Sequence, residues 1–221
     1  HQTEEASGSA TIESLAGALE VTRGVAVRLV EQLAERGLAR SEEGRISLTP
    51  IGRAYALRMV RTHRLLERYL AEQTGMAPEE WHDEAERREH ALSVAEAEAL
   101  SATMGHPRYD PHGDPIPTVT GELPARLGRP LSAFPAGTAV TVVHLEDEPR
   151  EAFERLVVLG LRPGARLRLL ASLPKEVRFR FDGREQTLPP VVADQVTAEP
   201  LADGEPLDEL AHATLADLAP G

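Results

Sequence analysis

The sequence predicts a chain in two parts, a mainly α N-terminal half and a small C-terminal β-barrel, on three observations. From about residue 11 to residue 105 apolar residues recur at spacings of three and four, as in amphipathic helices, and strand-like alternation is nearly absent. Between His106 and Phe134 the composition turns abruptly to proline and glycine, with Pro107, Pro111, Pro115, Pro117, Pro124 and Pro130, which reads as a linker with stiff, extended stretches. From Gly137 to Pro200 β-branched runs and period-two alternation take over, as in strands.

Thr11 to Leu19 places Ile12, Leu15, Ala16 and Leu19 on one helical stripe. Thr22 then reads as the N-cap of a second helix, with Ala26, Leu29, Val30 and Leu33 inward and Gly37 at its end. Leu38-Ala39-Arg40 and Arg45-Ile46-Ser47-Leu48 flank the polar turn Ser41-Glu42-Glu43-Gly44, a hairpin signal. Thr49-Pro50 opens a long helix from Ile51 to about Thr74, stopped by Gly75. Further helices are expected from about Ala77 to Trp81 and from about His82 to Met104. In the second half Val140–Val143, Arg166–Leu170 and Val177–Phe181 read as strands, the last followed by an Asp182-Gly183 turn, with one short helix from about Glu151 to Leu159. A small β-barrel with one helix fits that order.

The 221 residues carry 24 basic and 36 acidic side chains, a net charge of −12, and no cysteine. Such an acidic chain is not a polybasic binder of DNA or membrane, although a local basic face remains open to it. Without cysteine there are no disulfides, thiolate zinc sites, iron–sulfur clusters or cysteine nucleophiles, which fits a reducing cytoplasm. Apolar runs are short and broken by charge, so no membrane partner is expected. The first residue is His1 rather than methionine, as in a chain whose N-terminal piece has been cleaved or left out.

Two short helices joined by a tight turn and followed by a small hairpin form the pattern of a winged helix-turn-helix. DNA contact by such a unit needs cationic and hydrogen-bonding side chains at the start of the second helix, here Thr22, Arg23 and Arg28, and on the wing, here Arg40 and Arg45. From Thr22 to Thr62 eight arginines face four glutamates, a local charge of +4 inside an acidic chain. Arginines on the solvated faces of an ordinary helical bundle would give the same composition.

The sharpest chemistry lies in His82-Asp83-Glu84-Ala85-Glu86-Arg87-Arg88-Glu89-His90. At about 100° per residue, His82, Glu86, Glu89 and His90 fall at roughly 0°, 40°, −20° and 80° on one helical arc. Two imidazoles and two carboxylates on one stripe call for a cation to join them. The preceding long helix adds His63 and Glu67, one turn apart. Either pair alone reads as a surface hydrogen bond; six such groups on adjacent helices read as a metal site. The donors are nitrogen and oxygen only, which suits Mn²⁺ or Fe²⁺ and also accepts Zn²⁺ or Co²⁺.

These residues resemble the diphtheria-toxin-repressor family of metal-dependent transcriptional regulators. The resemblance runs through Leu48-Thr49-Pro50-Ile51-Gly52-Arg53, His63-Arg64-Leu65-Leu66-Glu67, the His82–Ser93 stretch and Asp110-Pro111-His112-Gly113-Asp114-Pro115-Ile116-Pro117. It continues into Leu159-Gly160-Leu161-Arg162-Pro163-Gly164, which is similar to the family's SH3-like (FeoA-like) barrel. The implied organisation is a winged helix-turn-helix DNA-binding domain over 1–62, a helical dimerisation and metal-binding domain with its Pro-rich linker over 63–128, the SH3-like domain over 129–203 and a tail over 204–221.

By that resemblance Glu86, Glu89 and His90 match the primary metal ligands, and His63, Glu67 and His82 the ancillary ones. Iron-type members usually carry cysteine at the Glu86 position, so a hard carboxylate there leans the chain toward Mn²⁺. The family's first helix also donates ligands, and only its end, His1 to Glu5, is present. The barrel adds a further ancillary ligand, for which Glu146, Asp147, Glu148 and Glu151 stand nearby and Glu148 and Glu151 are the candidates. The implied protein is a cytoplasmic homodimer that binds an inverted-repeat operator in double-stranded DNA when metal is bound, has no small-molecule substrate and is not an enzyme. Leu92, Leu100 and Met104 are its candidate dimer contacts. Two rivals are a metal-dependent hydrolase using the Glu/His cluster, and an interaction scaffold that does not bind DNA.

Overall fold

The computed structural model describes residues 10–42, 44–202 and 207. His1 to Glu5 and, apart from residue 207, the 204–221 tail lie outside the described residues.

A two-residue strand, β1 (Ala10–Thr11), runs straight into α1 (Ile12–Ala18), and the two are joined by a reciprocal cap. The Thr11 hydroxyl accepts the Ser14 N–H, and the Ser14 hydroxyl accepts the Thr11 N–H. Thr22 caps α2 (Arg23–Glu35). The hairpin of β2 (Ala39–Glu42) and β3 (Arg45–Leu48) follows, and β1 pairs on the far side of β3, giving the order β1-β3-β2. This is a winged helix-turn-helix. Its core is small: Ile12, Ala26 and Val30, with Ile46 packed against them. Leu29 and Leu33, expected inside, are 37% and 36% exposed, and Leu19 is exposed as well. A seven-residue helix and a three-stranded sheet cover only one narrow row of α2, so the flanks of its apolar stripe stay outside.

The Thr49 hydroxyl accepts the Gly52 N–H at the start of α3 (Pro50–Gln73) and donates to the Gly37 carbonyl on the wing side. Gly52 lies so close to the wing that a Cβ there would sit 1.8 Å from the Leu38 carbonyl oxygen. The 24 residues of α3 continue unbroken through residue 62, about 36 Å at 1.5 Å per residue.

The single helix expected from His82 to Met104 is two helices, α4 (Trp81–Glu89) and α5 (Val94–Thr103). Ser93 ends the continuity, because its hydroxyl caps the Glu96 N–H while Glu96 accepts the Ser93 N–H, a stronger local arrangement than another helical turn. Leu66 and Leu70 of α3 bury Ala85 of α4, with Leu92 and Leu100 half-buried against them. Two of the three expected dimer contacts thus pack within their own chain.

The proline-rich segment is less free than a linker. Arg64 of α3, itself buried, donates to the Pro115 carbonyl at 2.7 Å, and Arg61 donates to the Pro117 carbonyl at 2.7 Å. Asp110 Oδ1 accepts the backbone N–H groups of His112, Gly113 and Asp114, each at 2.9 Å. Prolines abolish regular backbone pairing, and here side chains supply the partners instead.

The C-terminal part contains β4 (Arg129–Pro130), β5 (Ala139–Leu145), α6 (Arg150–Val158), β6 (Arg166–Leu173), β7 (Glu176–Phe181), β8 (Arg184–Leu188), α7 (Pro190–Ala193) and β9 (Val196–Pro200). The antiparallel sheet has the order β4-β9-β5-β6-β7-β8, the SH3-like arrangement. Val140, Val142, Leu167, Leu169, Val177 and Phe179 alternate inward onto Phe153 and Leu156 of α6. Register shifts between Val142 and His144 and between Leu169 and Ala171 bend the sheet. The barrel meets the Pro-rich strap at β5: Leu145 N–H donates to the His112 carbonyl at 2.8 Å, and a Cβ on Gly113 would lie 2.0 Å from the Val143 oxygen. Among the described residues no helix is long and apolar enough to cross a membrane.

Candidate metal centre

His63 and Glu67 share the inward face of α3 because four residues make about one turn. His63 Nε2 lies 3.0 Å from Glu67 Oε1 and 3.3 Å from His82 Nδ1, and His82 Nδ1 lies 3.3 Å from the same Glu67 oxygen. His82 belongs to the first turn of α4, so the triangle exists only because α3 and α4 pack together. On its other side His63 Nδ1 meets Glu89 Oε2 at 2.8 Å, which orients the ring. Donor separations of 3.0–3.3 Å match those around a cation with bonds of about 2.1 Å, which are roughly 3.0 Å in an octahedron and 3.4 Å in a tetrahedron. Glu67 is 2% exposed, so an ionised carboxylate there needs cationic neighbours.

Those neighbours are visible in the electrostatics. Burial pulls the Glu67 carboxyl up, but hydrogen bonds with His63 and His82 outweigh it and hold the group well below the usual carboxylate range. His82 is pushed up to about 10 by hydrogen bonds with Asp147 and Glu67. His63 is also raised, its contacts with Glu67 overcoming the cost of burial. The site sets two imidazoles against a buried carboxylate, and a divalent cation there would displace the proton that His82 holds.

The barrel reaches this pocket through Asp147, on the turn between β5 and α6, whose Oδ2 lies 3.3 Å from His82 Nδ1. Glu148 and Glu151, the sequence candidates for that role, are both exposed. Glu148 lines the cleft above His82, and neither residue joins a ligand-like group among the described residues. Position decides it: Asp147 stands two residues past Leu145, the paired end of β5, and its carboxylate reaches His82 on α4. The signal was present only as one acid among four. His112 is the other residue that spacing did not single out as a ligand. It is 3% exposed, with its ring 5.7 Å from Trp81 and 5.1 Å from Phe153.

The arc of four groups on α4 divides. His82 and Glu89, near 0° and −20°, face α3, whereas Glu86 and His90, further round, are exposed. His90 is the C-cap of α4, its side chain 73% exposed, and its Nε2 lies 3.5 Å from Glu89 Oε1. Glu86, Glu89 and His90 do not form a ligand-like group among the described residues.

Thr22 accepts the Val25 N–H at 3.4 Å as N-cap of α2, and Arg23 Nε donates to Glu13 at 2.9 Å. Arg28 is exposed off the buried Ala26–Val30 row. On the wing Arg40 pairs with Ser47 and Arg45 with Glu42, so both arginines share the outward face of the hairpin while Ile46 points inward.

Residues 49–118 match the family model for the iron-dependent repressor metal-binding and dimerisation domain, and residues 129–200 match that for the FeoA domain. The iron-dependent repressor IdeR of Mycobacterium leprae is 33% identical over 201 residues, covering 84% of this chain and 86% of that protein. The diphtheria toxin repressor of Corynebacterium efficiens is 34% identical over 104 residues, covering 47% of this chain and 45% of its own length. A solved manganese-dependent transcriptional repressor in complex with manganese superposes with a TM-score of 0.78 at 34% identity, covering 87% of this chain and 92% of its own. With a winged helix, a His/Glu pocket on packed helices and an SH3-like barrel in the same order as these relatives, the chain belongs to the diphtheria-toxin-repressor family of metal-dependent transcriptional regulators.

Proposed function

We propose that this protein is a Mn²⁺-activated, homodimeric regulator that binds an inverted-repeat operator, with Fe²⁺ as the competing physiological ion. The observation that carries this reading is the continuity of α3, whose first turn grips the wing through Gly52 and whose fourth and fifth turns supply His63 and Glu67. Locking those two residues to His82 on α4 sets the pose of the same rigid helix that carries the DNA-binding unit. Metal then favours one arrangement of the two recognition helices of a dimer, and DNA and metal strengthen each other's binding by the same factor.

His63, Glu67 and His82 would hold the ancillary ion. Glu86, Glu89 and His90 are assigned to the primary site, which needs further donors from outside residues 10–202. Bound metal supplies cross-linking charge; the chain's residues supply position, with Glu89 orienting His63 and Arg64 holding the Asp110–Pro117 strap. The all-nitrogen-and-oxygen donor set and Glu86 in place of a thiolate support Mn²⁺ over iron. Binding of the full chain to a panel of genomic DNA fragments, with and without Mn²⁺ and Fe²⁺, tests the reading. Mn²⁺-dependent retardation of a few fragments is the expected result, and retardation indifferent to metal would overturn it. In the same assay Glu86→Cys should raise the response to Fe²⁺ or Zn²⁺ relative to Mn²⁺; an unchanged rank order would assign selectivity to other ligands.

A further inference from the structure

The ancillary triangle uses only one oxygen of Glu67. The other, Oε2, faces a second set of donors: His112 Nδ1 lies 4.0 Å from it and 3.8 Å from Asp147 Oδ2. Three different parts of the chain converge here, with Glu67 from α3, His112 from the Pro-rich strap and Asp147 from the barrel.

His112 is an unusual occupant of such a spot. Its side chain is 4% exposed, and its Nε2, against the Trp81 and Phe153 rings, is buried with no hydrogen-bond partner among the described residues. Nδ1 is beyond hydrogen-bond reach of both carboxylates. Nδ1 is thus the ring nitrogen that faces both carboxylates, across gaps that leave room for a cation among the three groups. The backbone shows the residue is held there: His112 N–H donates to Asp110 Oδ1 at 2.9 Å, and its carbonyl accepts Leu145 N–H at 2.8 Å. The ring is clamped from both sides with one nitrogen aimed at the acids.

We propose that Glu67 bridges two divalent cations, one held with His63 and His82 and a second held by Glu67 Oε2, His112 Nδ1 and Asp147. The second position rests on the metal-dependent reading above and deepens it. Its donors are one imidazole and two carboxylates, a set suited to Mn²⁺. Because each donor comes from a different segment, occupancy ties the barrel and the strap to the helix that carries the wing.

The test is the number of Mn²⁺ ions bound per full chain, by equilibrium dialysis with Mn²⁺ alone, for the parent, His112→Ala, Asp147→Asn and the double variant. Each single variant should bind one ion fewer than the parent, and the double should lose no more than either, since all three remove the same ion. An unchanged count in His112→Ala, or a double variant that loses two ions, overturns the proposal. If His112→Ala does not fold, Asp147→Asn alone decides between a lost ion and none. A parent that binds no Mn²⁺ sinks the metal-dependent reading itself, whereas a parent that binds while the variants match it sinks only the second position.

Discussion

The two pairs of imidazole and carboxylate groups on α4 sit on one helical arc and meet opposite fates. His82 and Glu89 turn onto α3 and find His63 and Glu67 within 3.3 Å, while Glu86 and His90, 40° to 80° round the same helix, stay in solvent. Neighbouring positions on one helix point along diverging radii, so they share a face without converging on a point. A second element must supply the opposing donors. For His82 that element is α3; for Glu86 and His90 it is not found among the described residues.

The largest expected effect comes from removing the residue at the centre of the assembled set. Glu67→Ala strips the counter-charge from two imidazoles and a donor from both proposed positions, and Mn²⁺ affinity at the cluster should fall by more than about 100-fold. Calorimetric titration of the full chain checks it, and an affinity near the parent's would remove Glu67 from the site.

Glu89→Gln and His90→Ala should next pull the two sets apart. Both are expected to abolish metal-dependent DNA binding. Only Glu89→Gln should also loosen His63, whereas His90→Ala, at a side chain 73% exposed, should leave metal-free stability within about 0.5 kcal/mol of the parent. Gel retardation and thermal melts read the two arms. An intact metal response in both variants would end the primary-site assignment.

At the DNA end the same logic separates a reader from a holder. Arg28→Ala should cost about 1–3 kcal/mol on a matched inverted repeat and relax preference at one position per half-site. Arg45→Ala should weaken every sequence alike and lower the salt dependence, and the neighbouring Glu42 makes its contribution the smaller of the two. Anisotropy titrations on matched and scrambled repeats at several salt concentrations distinguish them.

A pH dependence follows from the same pocket. His82 rises from 6.5 to about 10 in the folded, metal-free protein, so its proton is bound more tightly in the native state than in the unfolded one. That stabilisation is complete below about pH 6.5 and disappears as pH climbs through 10. Metal binding needs the neutral ring, so Mn²⁺ affinity should rise over the same window in which metal-free melting temperature falls. His82→Gln should flatten both trends.

Local features of this fold were plain in the sequence wherever a short-range rule governs them. Thr22 and Thr49 cap the helices that follow them, Gly75 stops α3, and the Ile46/Arg45 alternation places one side chain in the core and the other on the outer face of the wing. The His63/Glu67 pair is legible for the same reason, since one helical turn fixes its geometry. Harder to read were competitions between local rules. The helical period carries through His90–Ser93, but the Ser93–Glu96 cap wins, because it satisfies backbone donors that a continuing helix would bond elsewhere.

What the sequence by itself determined, then, is the order of elements, the helix ends and the donor types available to a cation: imidazole and carboxylate, never thiolate. Only the tertiary structure decided which donors meet. Asp147 rather than Glu148 or Glu151 reaches His82, and His112 comes from a stretch whose composition reads as linker. Their positions depend on packing between segments 30 or more residues apart: Arg64 on the strap and Gly113 against Val143 of the barrel. Such contacts have no period and no fixed spacing, so they arise only when the separate layers are brought together.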